Sequence, residues 1–383
     1  LGYKVGDRLL QDIAISLCNY FNSETLIARV GGDEFAIAVL DLPDVQAAIA
    51  IADRMQQDIT LPFLLQGRQA KTTIKVGVAF IDNLVDFQGE GIFFAAQTAM
   101  YKAKAEGKTH SEVFTTTMHQ EALKHLQLEA DLYEAIENRE FELYYQPIIS
   151  LKTGKLAGFE ALVRWNSPTR GFVSPGVFIP MAEATSAIIP LGEWILKQAC
   201  KQMYRWQQEF SERTSLFISV NLSVRQFEQK NLIETIQSTL DATGLAPQNL
   251  KLEITESMVM DEVESAIAIL ESLKFLGIKL SMDDFGTGFS SFSYLHRFPM
   301  DTLKIDRSFV SNLSKSTKNK EIVSSIVMLA HKLGMDVIAE GIETTEEKYM
   351  LQAFNCEYGQ GYLFSNPIPA KAISQLLQEL SQH

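Results

Sequence analysis

The sequence predicts an α/β protein whose C-terminal two-thirds forms a TIM-like (β/α)8 barrel, preceded by a smaller, partial α/β domain. Three observations predict it. From residue 141 onward, short apolar runs alternate with longer amphipathic stretches. Eight such runs fall within about 245 residues, the usual size of a (β/α)8 barrel. Most of the runs end on a polar or charged residue. In a barrel those ends converge on one face, where enzymes of this architecture carry their sites.

Taken in order, Gly6 to Phe21 reads as an amphipathic helix with Leu9, Leu10, Ile13 and Leu17 on one face. The apolar runs Leu26–Val30 and Phe35–Leu40 flank Gly31-Gly32, a hairpin signal. Residues 45–58 and 92–106 read as helices and Thr72–Phe80 as a strand. A further helical pattern over 115–139 (Leu123, Leu126, Leu132, Ile136) joins the halves. The eight strand candidates are 141–149, 156–163, 216–222, 250–254, 278–282, 302–305, 336–339 and 358–364. The expected domains are therefore 1–114, a helical linker 115–127, and 128–383.

Composition narrows the function classes. The formal net charge is −13, which disfavours a DNA or RNA polymer, since those call for a basic face. A small anionic substrate stays compatible, because bound cations reverse the local sign. Cys18, Cys200 and Cys356 are far apart and form no CxxC pair, which fits a reducing compartment and a cytoplasmic setting. No apolar run reaches membrane-spanning length. The chain starts at Leu1 in text that reads like the inside of a domain, so a fragment is expected and upstream sensor or anchoring segments stay open.

The strand-end residues carry the chemistry. Glu160, Asn221, Glu253, Asp283 with Asp284, Lys304 with Asp306, Glu340 and Gln360 each lie in or directly after an apolar run. Any one of them could simply cap the next helix, but the pattern repeated from strand to strand points to a site. Crowded carboxylates resist ionisation unless cations sit among them. Oxygen donors without His or Cys suit Mg²⁺ or Mn²⁺ rather than zinc. Two such ions form the usual clamp for in-line attack on a phosphodiester, and a neighbouring lysine can hold the attacking water.

Several ordered strings carry a family resemblance: YYQP (144–147), EALVRW (160–165), FIPMAEAT (178–185), VNLS (220–223), LEITES (252–257), DDFGTGFSS (283–291), LKIDRSFV (303–310), AEGIET (339–344) and QGYLFSNPIP (360–369). Residues 128–383 resemble the EAL family. That resemblance implies hydrolysis of cyclic di-GMP (c-di-GMP) to linear pGpG with two Mg²⁺ or Mn²⁺. It implies that Glu160, Asn221, Glu253 and Asp283 hold one metal, and Asp283, Asp284 and Glu340 the second. Lys304 and Asp306 would orient the water, and Gln146, Leu162, Arg164 and Gln360 would contact the nucleotide. Glu256 would pin the loop starting at Asp284, which in this family couples homodimerisation to metal binding. Phe289, where Tyr is commoner, is a mild departure.

ARVGGDEFAI (28–37) and AMYKAKAEGK (99–108) resemble the GGDEF family, which makes c-di-GMP from GTP. The resemblance implies nucleotide contacts from Asp7, Gly31, Gly32, Asp33 and Glu34. It also shows departures. The strand carrying the family's first metal aspartate is not in the sequence, Asn22-Ser23-Glu24-Thr25 stands where an inhibitory RxxD motif falls, and Gln97 replaces a usual Asp. This half is expected to bind GTP or to act as a regulatory partner, not as a complete cyclase. The leading expectation is an active phosphodiesterase. The alternatives are a c-di-GMP receptor without turnover, and a parent protein that also makes c-di-GMP.

Overall fold

The computed structural model describes residues 3–381 except 23, 60–62, 66–67, 71–72, 81–89, 106, 108–109, 211–214, 261, 287–294 and 312. The chain forms two compact units, Leu1–Leu128 and Glu129–His383.

The first unit contains helices α1 (Tyr3–Tyr20), α2 (Val45–Ile59) and α3 (Glu90–Ala105), and α4 (Thr116–Asn138) begins in it. Its strands are short: β1 (Leu26–Gly31), β2 (Glu34–Ala38), β3 (Phe63–Leu65), β4 (Arg68–Ala70), β5 (Gly77–Val78) and β6 (Glu112–Val113). Ile13 and Leu17 from the apolar face of α1 pack with Met55 and Ile59 of α2. β1 and β2 form the expected antiparallel hairpin, with Gly31 paired to Glu34 across an irregular register. Gly32 at the tip has φ +42°, a conformation that glycine adopts without Cβ strain. The strand expected over Thr72–Phe80 is only Gly77–Val78 among the described residues, and residues 71–72 lie outside them.

The second unit is a closed eight-stranded barrel wrapped by helices. Its strands are β7 (Phe141–Ser150), β8 (Leu156–Ser167), β10 (Phe217–Asn221), β11 (Leu250–Thr255), β12 (Lys279–Phe285), β13 (Thr302–Ile305), β14 (Asp336–Ala339) and β15 (Tyr358–Gly359). β9 (Gly171–Val173) pairs antiparallel with the end of β8, and β16 (Ile368–Pro369) pairs with β7. From β8 to β15 neighbouring barrel strands run parallel. β7 differs from the regular (β/α)8 expectation, because it lies antiparallel to both β8 and β15 and closes the ring between them. The reason is visible in the chain length. Only residues 151–155 separate β7 from β8, with Gly154 at φ +70°. A parallel return needs a crossover of a dozen or more residues, so a hairpin is the available solution. The last expected strand, 358–364, shrinks to Tyr358–Gly359, and Gln360 stands just past its end.

The helices that cover the barrel include α5 (Pro175–Ala184), α6 (Ile188–Glu209), α7 (Val224–Phe227), α8 (Leu232–Thr243), α9 (Glu256–Met260) and α10 (Val263–Phe275). They continue with α11 (Arg307–Val310), α12 (Thr317–Lys332), α13 (Thr345–Ala353) and α14 (Ala370–Ser381). Strand alternation splits each barrel strand into two faces. In β11, Leu252 and Ile254 are fully buried, while Lys251 and Glu253 reach across to Thr302 and Lys304 of β13. The polar side of β11 thus faces the barrel interior together with the polar side of β13. Among the described residues no helix is long and apolar enough to cross a membrane.

Candidate active site

Lys304 on β13 is the centre of the barrel mouth, with a side chain 1% exposed. Its Nζ lies 2.6 Å from Glu253 Oε2, 2.6 Å from Glu340 Oε1, 3.2 Å from Asp283 Oδ1 and 3.8 Å from Glu160 Oε2. The parallel register explains the convergence: Glu160 neighbours Ser219 on β10, Asn221 pairs with Glu253, and Thr255 with Asp283. Four separate strands therefore deliver one carboxylate each to a single ammonium.

Electrostatics follow from that geometry. Burial drives the Glu253 carboxyl well above its ordinary pKa. Lys304 opposes the rise, and Glu160, Asp283 and Glu340 add to it. Glu340 is pushed up to about 7, chiefly by burial and again against the pull of Lys304. Burial pulls the Lys304 ammonium down, but its four carboxylate neighbours outweigh that and hold it well above the usual lysine value. Burial and then the charge of Asp283 raise Asp284.

Amide side chains brace the acids. Asn221 Nδ2 donates to Glu160 Oε1 at 2.8 Å. Gln360 Nε2 donates to Glu160 Oε2 at 2.6 Å and to Gln146 Oε1 at 2.8 Å, and Gln146 Nε2 donates to the Ser365 carbonyl at 3.1 Å. The fold thus brings Gln146, Glu160, Asn221, Glu253, Asp283, Lys304, Glu340 and Gln360 into one connected set.

Asp284 takes φ +53°, and its N–H donates to Asp283 Oδ1 at 3.0 Å. This non-glycine left-handed residue turns the chain at the end of β12. Asp306 caps α11 by accepting from the Ser308 N–H at 3.0 Å. Glu256 is buried at the start of α9. Leu162 and Arg164 lie farther along β8, and the half-buried Arg164 guanidinium sits 5.5 Å from the Tyr144 ring centroid. The loop residues Gly288, Phe289, Ser290, Ser291 and Phe292 lie outside the described residues. Trp165 is a core residue, fully buried, with its indole N–H donating to Glu140. Sequence reasoning passed over Tyr144 and Tyr362, which sit against Arg164 and Arg307. Both lie inside the quoted strings YYQP and QGYLFSNPIP, so their neighbourhood was the available signal.

Among the described residues no group of three or more His, Cys, Asp or Glu side chains is posed to hold a metal ion. The carboxylates gather on the Lys304 ammonium instead. Their chemistry nevertheless suits hard divalent cations. The set is all oxygen, and among the described residues the buried Glu253 Oε1 has no hydrogen-bond partner.

In the first unit the hairpin tip is built differently. Arg29 donates to the Gly32 carbonyl from Nε at 3.0 Å and from Nη2 at 2.6 Å. Glu34 accepts from Gln97 Nε2 at 3.2 Å and from the Tyr101 hydroxyl at 3.0 Å, both on α3. Asp7 lies on the exposed side of α1, and Asp33 is exposed at the tip.

These features define a TIM-like barrel with an antiparallel first strand and an acid–lysine centre at its mouth. The chain belongs to the EAL domain family, which it matches over residues 129–367; residues 1–110 match the diguanylate cyclase GGDEF domain. Phosphodiesterases of the EAL family are generally dependent on divalent metals. The signaling protein YkoW of Bacillus subtilis (strain 168) is 39% identical over 380 residues, covering 99% of this chain and 47% of YkoW. The cyclic di-GMP phosphodiesterase NbdA of Pseudomonas aeruginosa is 36% identical over 378 residues, covering 99% of this chain and 48% of NbdA. The chain spans about half the length of these curated relatives. A solved structure of PaMucR phosphodiesterase in complex with c-di-GMP is 40% identical, with a TM-score of 0.62, and covers 64% of this chain and 99% of that one.

Proposed function

We propose that the barrel hydrolyses c-di-GMP to linear pGpG. The observation that carries this reading is Lys304, buried among Glu160, Glu253, Asp283 and Glu340 at the mouth of an EAL-family barrel. The relative NbdA is named for that activity, and the PaMucR phosphodiesterase structure holds that ligand. A receptor that had given up turnover would not need all four acids and the lysine.

Glu160, Asn221, Glu253 and Asp283 would hold one Mg²⁺ or Mn²⁺, and Asp283, Asp284 and Glu340 a second. The ions supply charge neutralisation at the phosphodiester and a water of lowered pKa. The chain does the rest. Lys304 and Asp306 orient the water, Asn221 and Gln360 fix the Glu160 carboxylate, and Gln146, Leu162, Arg164 and Gln360 hold the nucleotide. Glu256 braces the segment after Asp283 and couples a barrel homodimer to activity. The GGDEF half, with Asp7, Gly31, Gly32, Asp33 and Glu34 facing the nucleotide, binds GTP as a regulatory unit. The domain limits 1–114, 115–127 and 128–383 belong to the same proposal, as does a cytoplasmic setting, which the free Cys18, Cys200 and Cys356 support.

The test is incubation of the purified chain with c-di-GMP, separately with Mg²⁺, Mn²⁺ and Ca²⁺, and chromatographic product analysis. The expected result is pGpG with Mg²⁺ or Mn²⁺ and inhibition by Ca²⁺, whose larger, looser coordination misplaces the water. Tight binding of intact c-di-GMP without any pGpG would favour the receptor reading.

A further inference from the structure

We infer that Arg307 is a positioning residue that latches the turn carrying Glu340, an inference resting on the phosphodiesterase reading above. Glu340 leaves β14 directly into Gly341, whose φ is +67°. Glycine there has the widest backbone freedom of any residue, so a glutamate one position upstream is aimed only as well as its surroundings constrain the turn. The constraint comes from Arg307. A Cβ on Gly341 would lie 2.2 Å from Arg307 Cγ and 2.7 Å from its Cβ, so the arginine stem rests directly on the glycine backbone. From there the guanidinium reaches Glu343 on the far side of the same turn, with Nη2 2.6 Å from Oε1. It also lies 5.9 Å from the Tyr362 ring centroid, in the segment after Gln360.

The backbone has already drawn these three segments together. The Glu340 N–H donates to the Ile305 carbonyl at 3.1 Å, and the Ile342 N–H to the Gln360 carbonyl at 3.0 Å. A Cβ on Gly361 would meet the Ile342 carbonyl oxygen at 2.2 Å, so only glycine permits that approach. Arg307 therefore joins the segment after Lys304, the segment after Glu340 and the segment after Gln360. An exposed ion pair by itself contributes little. Here the same side chain packs, pairs and stacks across three loops whose residues meet in one site, and small misplacements of such residues are costly to rate.

The experiment compares Arg307→Ala, Arg307→Met, Arg307→Lys and Glu343→Gln in the full chain, with thermal melting as the folding control. Steady-state hydrolysis of c-di-GMP and an Mn²⁺ binding isotherm without substrate are both read. Arg307→Ala should lower kcat about tenfold and weaken Mn²⁺ severalfold, with KM within about twofold. Arg307→Met, which keeps the stem, and Arg307→Lys, which keeps the charge, should each recover part of the loss. Glu343→Gln should add nothing in the Arg307→Ala background, as expected of two members of one latch. Wild-type kcat and Mn²⁺ affinity in Arg307→Ala would overturn the inference. So would a rise in KM alone, which would make Arg307 a substrate contact. If the wild type itself makes no pGpG, the phosphodiesterase reading fails, while the Mn²⁺ isotherms still decide the latch.

Discussion

The chain presents two acidic centres, and they are built on opposite principles. At the barrel mouth, four carboxylates from different strands surround one ammonium that is 1% exposed. At the hairpin tip of the first unit, Glu34 is held by two neutral donors, Gln97 and Tyr101, and Tyr101 is 50% exposed. The first arrangement stores electrostatic strain, since burial raises Glu253 and Glu340 while Lys304 holds them down. In the second, the main consequence is on the partner: the hydrogen bond to Glu34 raises the Tyr101 phenol. The contrast teaches that acidic residues at a turn and acidic residues at a barrel mouth are different chemical objects. Only the buried cluster has unmet demand for positive charge, which is what a divalent-metal site needs.

Removing the central cation is the harshest way to break the comparison. Lys304→Met should lower the rate of c-di-GMP hydrolysis by about a hundred- to ten-thousandfold, as loss of a water-positioning group does, with substrate affinity largely kept. In EDTA it should also destabilise the barrel by about 3–5 kcal/mol, because it leaves buried carboxylates unpaired. Mn²⁺ should then raise its melting temperature more than it raises that of the wild type. Loss of affinity with unchanged turnover would assign Lys304 to substrate binding instead.

A pH series sharpens the same contrast. The Glu340 pKa of about 7 is raised above its unfolded value, so the folded state binds the extra proton. Its contribution to stability is therefore complete below the unfolded pKa and is lost as pH rises through about 7. In EDTA, melting temperature should carry this decline between about pH 4.5 and about pH 7, and Glu340→Gln should flatten it. A decline equally steep in Glu340→Gln would assign it to other groups.

The smallest expected effect concerns assembly. If a barrel dimer sets the geometry of Asp283 and Asp284, specific activity should fall severalfold on dilution below the dimer dissociation constant. Glu256→Ala should reduce activity more than it reduces melting temperature. Constant specific activity while light scattering shows dimer becoming monomer would remove the coupling.

Much of this was legible in the chain. Parallel strands buried on both faces read as continuous apolar runs, so β8 and β10–β14 stood out, and the polar residue ending each run marked the mouth. The antiparallel β7 was hidden because periodicity reports burial and not direction; the five-residue gap at 151–155 was the overlooked sign. β15 was overextended because Gly359 and Gly361 pack closely against neighbouring side chains and backbone, and a sequence does not display such contacts. Of the strand expected over 72–80, Gly77–Val78 pair with β6, while residues 73–76 and 79–80 stand outside the ladder, since an apolar stretch can pack without ladder pairing. The acids were singled out in the sequence, but their gathering on Lys304 needed the barrel's register, and so did the brace from Asn221 and Gln360 to Glu160. The Arg164–Tyr144 and Arg307–Tyr362 contacts join residues far apart in the chain, or on strands whose pairing had to be seen.

The most direct test sets the two centres side by side: the rate of pGpG formation from c-di-GMP with Mn²⁺, measured for Glu253→Gln and Glu34→Ala against the wild type. If catalysis belongs to the buried barrel cluster, Glu253→Gln should lose at least about a thousandfold, whereas Glu34→Ala should stay within about twofold when no GTP is present. Near-wild-type turnover by Glu253→Gln, or collapse of turnover in a folded Glu34→Ala, would contradict it.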